Sequence, residues 1–99
     1  MQTIAFDVDG TLIDSEGNPR YHVIDLLRWF AQSNDWRVIV WSGGGIDYAR
    51  TIARRLGLQQ YKIMLGVKFD DPAVDIAVDD MADGIDTTKQ LNAKVIIKV

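Results

Sequence analysis

A buried strand that ends in two carboxylates is the feature that most constrains this chain. The stretch 3–12 reads TIAFDVDGTL, in which an apolar run leads to Asp7 and Asp9 and then to Gly10, which breaks the strand. Buried strands rarely carry charge, because an unpaired carboxylate away from water is costly. In parallel α/β sheets, ligands bind at the carboxyl ends of the strands. The pair therefore indicates a bound cation or a catalytic role, rather than a turn in which Asp9 alone has a structural part.

The remainder of the chain alternates helices with strands. Helical spacing of apolar residues predicts helices at 21–34 and 46–56 and a weaker one at 83–91. The inward residues predicted for the second helix are Ile46, Ala49, Ile52, Ala53 and Leu56. The strands predicted from apolar, β-branched runs are 37–41, 62–67, 75–78 and 94–99. This alternation predicts a parallel α/β sheet with right-handed crossovers, in which the polar strand ends share one edge.

Composition sets the class of protein. The chain has 99 residues, of which 47% are apolar and 25% charged, so that one small domain over 1–99 can form a core. The net charge of −3 gives no basic surface of the kind that nucleic-acid-binding domains carry. The absence of cysteine excludes a disulfide framework and a thiolate nucleophile. The chain enters a strand at once and has no apolar run near ~20 residues, so a cytoplasmic protein without a membrane span is expected.

The strand predicted at 37–41 also ends in a polar residue. Ser42 precedes three glycines and a helix, and a backbone without side chains that leads into a helix N-terminus can hold an anion. The Ser42 hydroxyl adds a donor for a phosphate oxygen. From these residues alone, a plain strand-to-helix turn is an equally good interpretation. No Gly-x-x-x-x-Gly-Lys string follows, so this is not a P-loop.

Two further features belong to the strand predicted at 75–78. Asp79 and Asp80 end its apolar run, and adjacent carboxylates repel each other unless a cation joins them. Oxygen ligands of this kind suit Mg²⁺. Lys68 precedes the strand by a short loop, where it could hold a carboxylate and a phosphate together. Lys62 is a competing candidate, and a solvated surface lysine is the ordinary alternative for either.

In this order, the four features resemble the four motifs of the haloacid dehalogenase-like superfamily of phosphohydrolases. The segments that carry the resemblance are 7–11 (DVDGT), 38–43 (VIVWSG) and 66–80 (GVKFDDPAVDIAVDD). The resemblance covers nearly the whole chain. It implies a single Rossmann-like α/β domain, with a parallel sheet of about five strands flanked by helices and no cap domain.

The resemblance also implies a Mg²⁺-dependent phosphomonoester hydrolase. Asp7 would attack phosphorus to form an aspartyl-phosphate, and Asp9 would act as general acid and base. The groups implied to hold the phosphoryl oxygens are Ser42, the Gly43 N–H and Lys68. The metal ligands implied are Asp7, Asp9 through its backbone carbonyl, Asp79 and Asp80, with Asp83 as a further candidate.

Two alternatives share some of these residues. A response-regulator receiver also combines a phosphorylated aspartate with Mg²⁺, Ser or Thr and Lys, but its acidic pair comes first in the chain and its lysine last. Here no aspartate ends the second or third strand, and Lys68 precedes the last acidic pair. The other alternative is a protein of the same superfamily that binds without catalysis.

The spacing of the motifs bears on the substrate. Superfamily members that select small metabolites commonly carry a cap after the first motif or after the third strand, and here only 12–20 and 68–74 lie at those points. Neither gap can hold a folded lid. We therefore expect either a second subunit of a homo-oligomer that serves as the lid, or a large phosphorylated substrate that covers an open site. A protein or a nucleic-acid end would meet that need, although no basic patch favours nucleic acid.

Overall fold

The structure, a computed structural model, describes residues 1–68, 73–80 and 92–99. The elements in chain order are β1 (Gln2–Asp7), α1 (Tyr21–Ala31), β2 (Trp36–Ser42), α2 (Ile46–Arg55), a short 3₁₀ turn (Leu58–Gln60), β3 (Ile63–Val67), β4 (Val74–Asp79) and β5 (Ala93–Lys98). The two stronger helices and all of the strands predicted from the sequence are therefore present, with ends that differ by a few residues. The helix predicted at 83–91 lies outside the described residues.

The five strands form one parallel sheet in the order β3-β2-β1-β4-β5. The α/β class and the parallel sheet predicted from the alternation of elements are thereby confirmed. The chain moves outward from β1 to β3 and then returns to the other side of β1 with β4, so its direction through the sheet reverses between β1 and β4. In open parallel sheets, ligands bind outside the carboxyl ends of the strands at such a reversal.

One face of the sheet packs against both described helices. The crossovers from β1 to β2 and from β2 to β3 move in the same direction, and right-handed connections then place α1 and α2 on the same side. Ile4 and Phe6 point to this side and are fully buried. The buried helix residues that belong to this cluster are Val23, Ile24, Leu27, Ala49, Ile52 and Ala53. Each large side chain of this kind contributes roughly 1.5–3 kcal/mol when it is removed from water.

One inward position predicted for α2 is wrong. Ile46 is 40% exposed, whereas Ala49, Ile52, Ala53 and Leu56 are buried. Ile46 is the first residue of the helix and follows the turn that leaves β2 at Ser42. The buried face of α2 therefore begins after this first residue, where Tyr48 and Ala49 already pack against the core.

The other face of the sheet carries a second, smaller buried cluster. Its members are Ala5, Ile39, Trp41, Val74, Ala77 and Ala93. Asp7 follows Ala5 by two residues and Asp79 follows Ala77 by two, so both carboxylates point to this second face. Among the described helices, none is long and apolar enough to cross a membrane.

Candidate functional site

The strand register brings two buried carboxylates side by side. Phe6 on β1 pairs with Val78 on β4, so that Asp7 and Asp79 end their strands at the same level. Asp7 is 5% exposed and Asp79 is 0% exposed. Burying two negative charges together is unfavourable unless positive charge lies close by. The sequence prediction that these strand ends share one edge is therefore confirmed, and it creates a demand for a cation.

Lys68 supplies positive charge between the two carboxylates. Its Nζ lies 2.8 Å from Asp79 Oδ2 and 3.5 Å from Asp7 Oδ1, and its side chain is only 11% exposed. The backbone positions it, because the Lys68 N–H donates to the Ser42 carbonyl at 3.1 Å, directly after Val67 pairs with Ser42. Burial lowers the pKa of Lys68, but the hydrogen bond to Asp79 and the charges of both carboxylates outweigh it and raise that pKa above its ordinary value.

The competing lysine lies elsewhere. Lys62 precedes β3, at the amino end of the sheet, and is exposed. It lines a surface hollow together with Trp36 and Met64. The structure therefore brings Lys68 to the two carboxylates and leaves Lys62 about one strand length away.

The surroundings of Asp7 shift its pKa. Burial raises its pKa most, the Asp79 carboxylate raises it further and Lys68 opposes them, so that the pKa of Asp7 rises from 3.8 to about 7. The Thr11 hydroxyl donates to Asp7 Oδ2 at 3.5 Å, which is a weak contact. A further cation among these carboxylates would favour the ionised form of Asp7, because opposite charge lowers the pKa of an acid.

A third carboxylate completes an acidic cluster, which we define as Asp7, Asp79 and Asp80. One carboxylate oxygen from each lies within 4.8 Å of the others. The cluster offers oxygen atoms only, which fits a hard divalent cation such as Mg²⁺ rather than a metal that prefers nitrogen or sulfur. Asp83, the further metal ligand suggested by the sequence, lies outside the described residues.

Gly10 makes room for the third carboxylate. A Cβ at Gly10 would lie 1.8 Å from Asp80 Oδ2, which is a severe clash. Gly10 also has a φ of +77°, a conformation that favours glycine. Two separate constraints therefore require glycine at position 10, namely the conformation of the turn and the close approach of Asp80.

The turn after β1 is closed by its own backbone. The Val8 carbonyl accepts from the N–H groups of Thr11, Leu12 and Ile13 at 3.3, 3.0 and 3.2 Å. Arg20 reinforces the turn, because its guanidinium donates to the Gly10 carbonyl and its backbone N–H donates to the Leu12 carbonyl. Asp9 lies within this turn and is exposed, unlike Asp7.

The glycine run after β2 leads directly into α2. Ser42 is buried, and its Oγ accepts from the Gly44 N–H at 3.0 Å. Gly45 has a φ of +101°, and α2 begins at the next residue without a side-chain cap. Gly43 is exposed, and a Cβ there would meet nothing within 4 Å. Ser42 and Gly43 thus lie beside the acidic cluster with a backbone that an anion can approach.

One residue that the sequence analysis did not single out also contacts this region. Tyr48 lies in the first turn of α2, and its hydroxyl donates to Asp9 Oδ1 at 2.6 Å. This hydrogen bond, then burial and then the charge of Asp9 raise the pKa of Tyr48 above its ordinary value. The two residues are 39 positions apart, so no local spacing predicts the contact. The only sequence signal is a polar aromatic residue one turn into the helix that leaves the glycine run.

No family model matches this chain, and comparison with curated proteins and with solved structures gives no match. The structure brings together Asp7, Lys68, Asp79 and Asp80, and the Lys68 backbone joins this group to Ser42. Gly43 directly follows Ser42, and Asp9 lies in the turn after β1, where its carboxylate contacts Tyr48. The chemistry and positions of these residues are what indicate a function.

Proposed function

We propose that this protein is a Mg²⁺-dependent phosphomonoester hydrolase, similar to the haloacid dehalogenase-like superfamily, that forms an aspartyl-phosphate on Asp7. Its fold would be the Rossmann-like core of that superfamily without a cap. The observation that carries the proposal is the meeting of Asp7, Lys68 and Asp79 where the direction of the sheet reverses. The three residues come from separate segments, in the order that the superfamily motifs have.

The acidic cluster and the Asp9 backbone carbonyl would hold the magnesium ion. When bound, the ion would neutralise charge on the phosphoryl oxygens and the carboxylates. The fit follows from the donor set, which is oxygen only, and from the burial of Asp7 beside Asp79. Lys68 offsets only part of the negative charge of these carboxylates.

In the first step, a carboxylate oxygen of Asp7 attacks phosphorus. The bond between phosphorus and the leaving oxygen breaks, and the protonated Asp9 carboxyl gives its proton to that oxygen. Lys68 is within reach of Asp7 and would hold a phosphoryl oxygen as charge moves, together with Ser42 and the Gly43 N–H. The products are the free alcohol and a phosphorylated Asp7.

In the second step, Asp9 acts as a base. Its carboxylate takes a proton from water, the water oxygen attacks phosphorus, and the bond from phosphorus to Asp7 breaks. Inorganic phosphate leaves and Asp9 is again protonated, so that the cycle closes without any other reactant. The exposed position of Asp9 suits this exchange with water, whereas buried Asp7 is shielded from it.

The substrate is proposed to be large, or else enclosed by a second subunit. The turn after β1 lies between Asp7 and α1 and consists of 8–20, of which several residues are tied to one another by backbone hydrogen bonds. A segment of that length can shape the rim of a site but cannot enclose a small molecule. Selectivity for one small phosphometabolite is therefore not expected.

The test is multiple turnover of p-nitrophenyl phosphate by purified protein with Mg²⁺, followed as released p-nitrophenol and phosphate. A hydrolase releases many equivalents per protein. A receiver-like switch would stop near one equivalent, and a protein that only binds would release none. Asp25→Asn is a suitable control for a lost carboxylate, because Asp25 is an exposed residue of α1 that pairs with Arg28. It should turn over like the unmodified protein.

A further inference from the structure

In the proposed function, on which the role of Tyr48 rests, the acid and base Asp9 has to be held in one orientation. We propose that Tyr48 is a positioning residue for Asp9. Its hydroxyl holds Asp9 Oδ1 and so presents Oδ2 to the leaving oxygen and to water. Tyr48 acts through Asp9 and keeps its own proton throughout.

The need for such a residue follows from the place of Asp9. Asp9 lies in a turn rather than in a strand, and it is exposed. An exposed carboxylate in a turn samples several rotamers, and the loss of that freedom opposes its use as an aligned acid. Within residues 1–68, 73–80 and 92–99, the side-chain hydrogen-bond partner of the Asp9 carboxylate is Tyr48, at 2.6 Å.

Tyr48 is itself held by the core. Its ring packs against the larger hydrophobic cluster, and the neighbouring residue Ala49 is fully buried. The ring also closes on the glycine run, because a Cβ at Gly44 would lie 3.2 Å from Tyr48 Cδ2. The hydroxyl therefore has a fixed position at the start of α2, from which it reaches across to the turn after β1.

The contact between Tyr48 and Asp9 links the first motif, which contains Asp9, to the helix that follows the glycine run of the second motif. The glycine run that would hold the phosphoryl group leads into α2, and α2 carries the residue that holds the acid and base. With Oδ1 engaged as an acceptor, Oδ2 is the oxygen that carries the proton. The Oδ2 proton moves to the leaving oxygen as the bond to phosphorus breaks, and Oδ2 later regains a proton from water.

The experiment compares two substrates that need the acid to different extents. Phenyl phosphate has the more basic leaving oxygen and needs protonation, whereas p-nitrophenyl phosphate needs it less. Tyr48→Phe should lower kcat/KM, which reports the step that releases the leaving group, roughly tenfold for phenyl phosphate and less than about threefold for p-nitrophenyl phosphate. Only a hydroxyl is removed from a half-buried ring, so the thermal midpoint should change little.

A matched control and a double variant separate orientation from a general structural effect. Tyr61 is also a half-buried tyrosine against the same cluster, and Tyr61→Phe should leave both substrates unaffected. In an Asp9→Asn background, which has lost the proton carrier, Tyr48→Phe should have no further effect on kcat/KM for phenyl phosphate.

Three results would overturn the inference while the proposed function stands. They are an equal loss of kcat/KM for both substrates, no loss of kcat/KM for phenyl phosphate, and an undiminished effect of Tyr48→Phe in the Asp9→Asn background. If the unmodified protein turned over neither substrate with Mg²⁺, the proposed function would be wrong and the role of Tyr48 would be wrong with it.

Discussion

Two aspartates on neighbouring strands of one sheet have opposite surroundings. Asp75, near the amino end of β4, accepts from the Thr3 N–H at 2.7 Å and lies 3.1 Å from Lys94 Nζ. The hydrogen bond from Thr3, with that from Lys94, lowers the pKa of Asp75. Asp7, at the carboxyl end of β1, is buried beside another carboxylate, and its pKa rises to about 7.

Under the proposed function, the difference separates an acid that stabilises the fold from one that takes part in the chemistry. The negative charge of Asp75 is satisfied by groups that face it in the folded protein. The charge of Asp7 is opposed by burial and by Asp79, and only partly relieved by Lys68. Acids with strongly displaced pKa values concentrate at functional sites, since catalysis needs groups that the fold leaves unsatisfied. The amino and carboxyl ends of this sheet should therefore respond differently to the same substitutions.

The largest expected difference is in turnover. Asp7→Asn should lower kcat at least roughly 10³-fold, because an amide is not a usable nucleophile. Asp75→Asn removes a carboxylate from the same sheet and should leave kcat nearly unchanged. The measurement is p-nitrophenyl phosphate hydrolysis with Mg²⁺ on protein shown to be folded by circular dichroism. More than a trace of activity in Asp7→Asn would exclude the covalent route.

The two lysines extend the comparison to positive charge. Lys68→Ala should lower kcat/KM roughly 10²-fold, as expected when a preorganised donor to a developing charge is lost. Lys62→Ala, at the amino end, should leave kcat/KM unchanged. Equal losses for the two variants would mean that the contacts of Lys68 with Asp7 and Asp79 have no part in the reaction.

How much of this site can be predicted from the sequence depends on how far apart along the chain the contacting residues lie. Asp7 and Asp79 were identifiable because each follows an apolar run that only a buried strand explains. The sequence favours Lys68 but leaves Lys62 as a competing candidate, because the choice depends on the pairing of Val67 with Ser42, which is a property of the register of β3.

Two further features of the structure, the contact of Tyr48 and the exposure of Ile46, also depend on tertiary packing that a local sequence pattern does not contain. The contact of Tyr48 with Asp9 joins a helix to a turn and has no local pattern. Ile46 has the correct helical spacing but is the first residue of α2 and is exposed, so periodicity alone places it wrongly in the core. The apolar pattern predicts which face of a helix is buried. How far along the helix that face stays buried depends on the neighbouring strands.

The pH dependence of stability should differ in sign between the two aspartates. The folded pKa of Asp7 is raised from 3.8 to about 7, so the folded state binds more protons between those values, and its stabilising effect is lost as pH rises through that window. Relative to Asp7→Asn, the metal-free protein should lose stability at up to ~1.4 kcal/mol per pH unit between about pH 4 and 7.

Asp75 should show the reverse behaviour. Its folded pKa is lowered, so its contribution is present at neutral pH and is lost as pH falls through the folded value. Urea unfolding of both variants and the unmodified protein from pH 4 to 8, with chelator present, measures the two differences. If the difference in unfolding free energy between Asp7→Asn and the unmodified protein did not change with pH, burial beside Asp79 would not destabilise the ionised form of Asp7.

Mg²⁺ should give the smallest of these effects. An ion that binds the acidic cluster only in the folded state stabilises it by mass action, by about 1.4 kcal/mol at ten times the dissociation constant. In a domain of this size, that corresponds to a rise in thermal midpoint of roughly 6–11 °C. Asp79→Asn should abolish the rise because it removes a buried carboxylate of the cluster, whereas Asp75→Asn should retain it. A rise that survives in Asp79→Asn would place the bound ion elsewhere. Among the described residues, Lys68 would then be the cation beside Asp7.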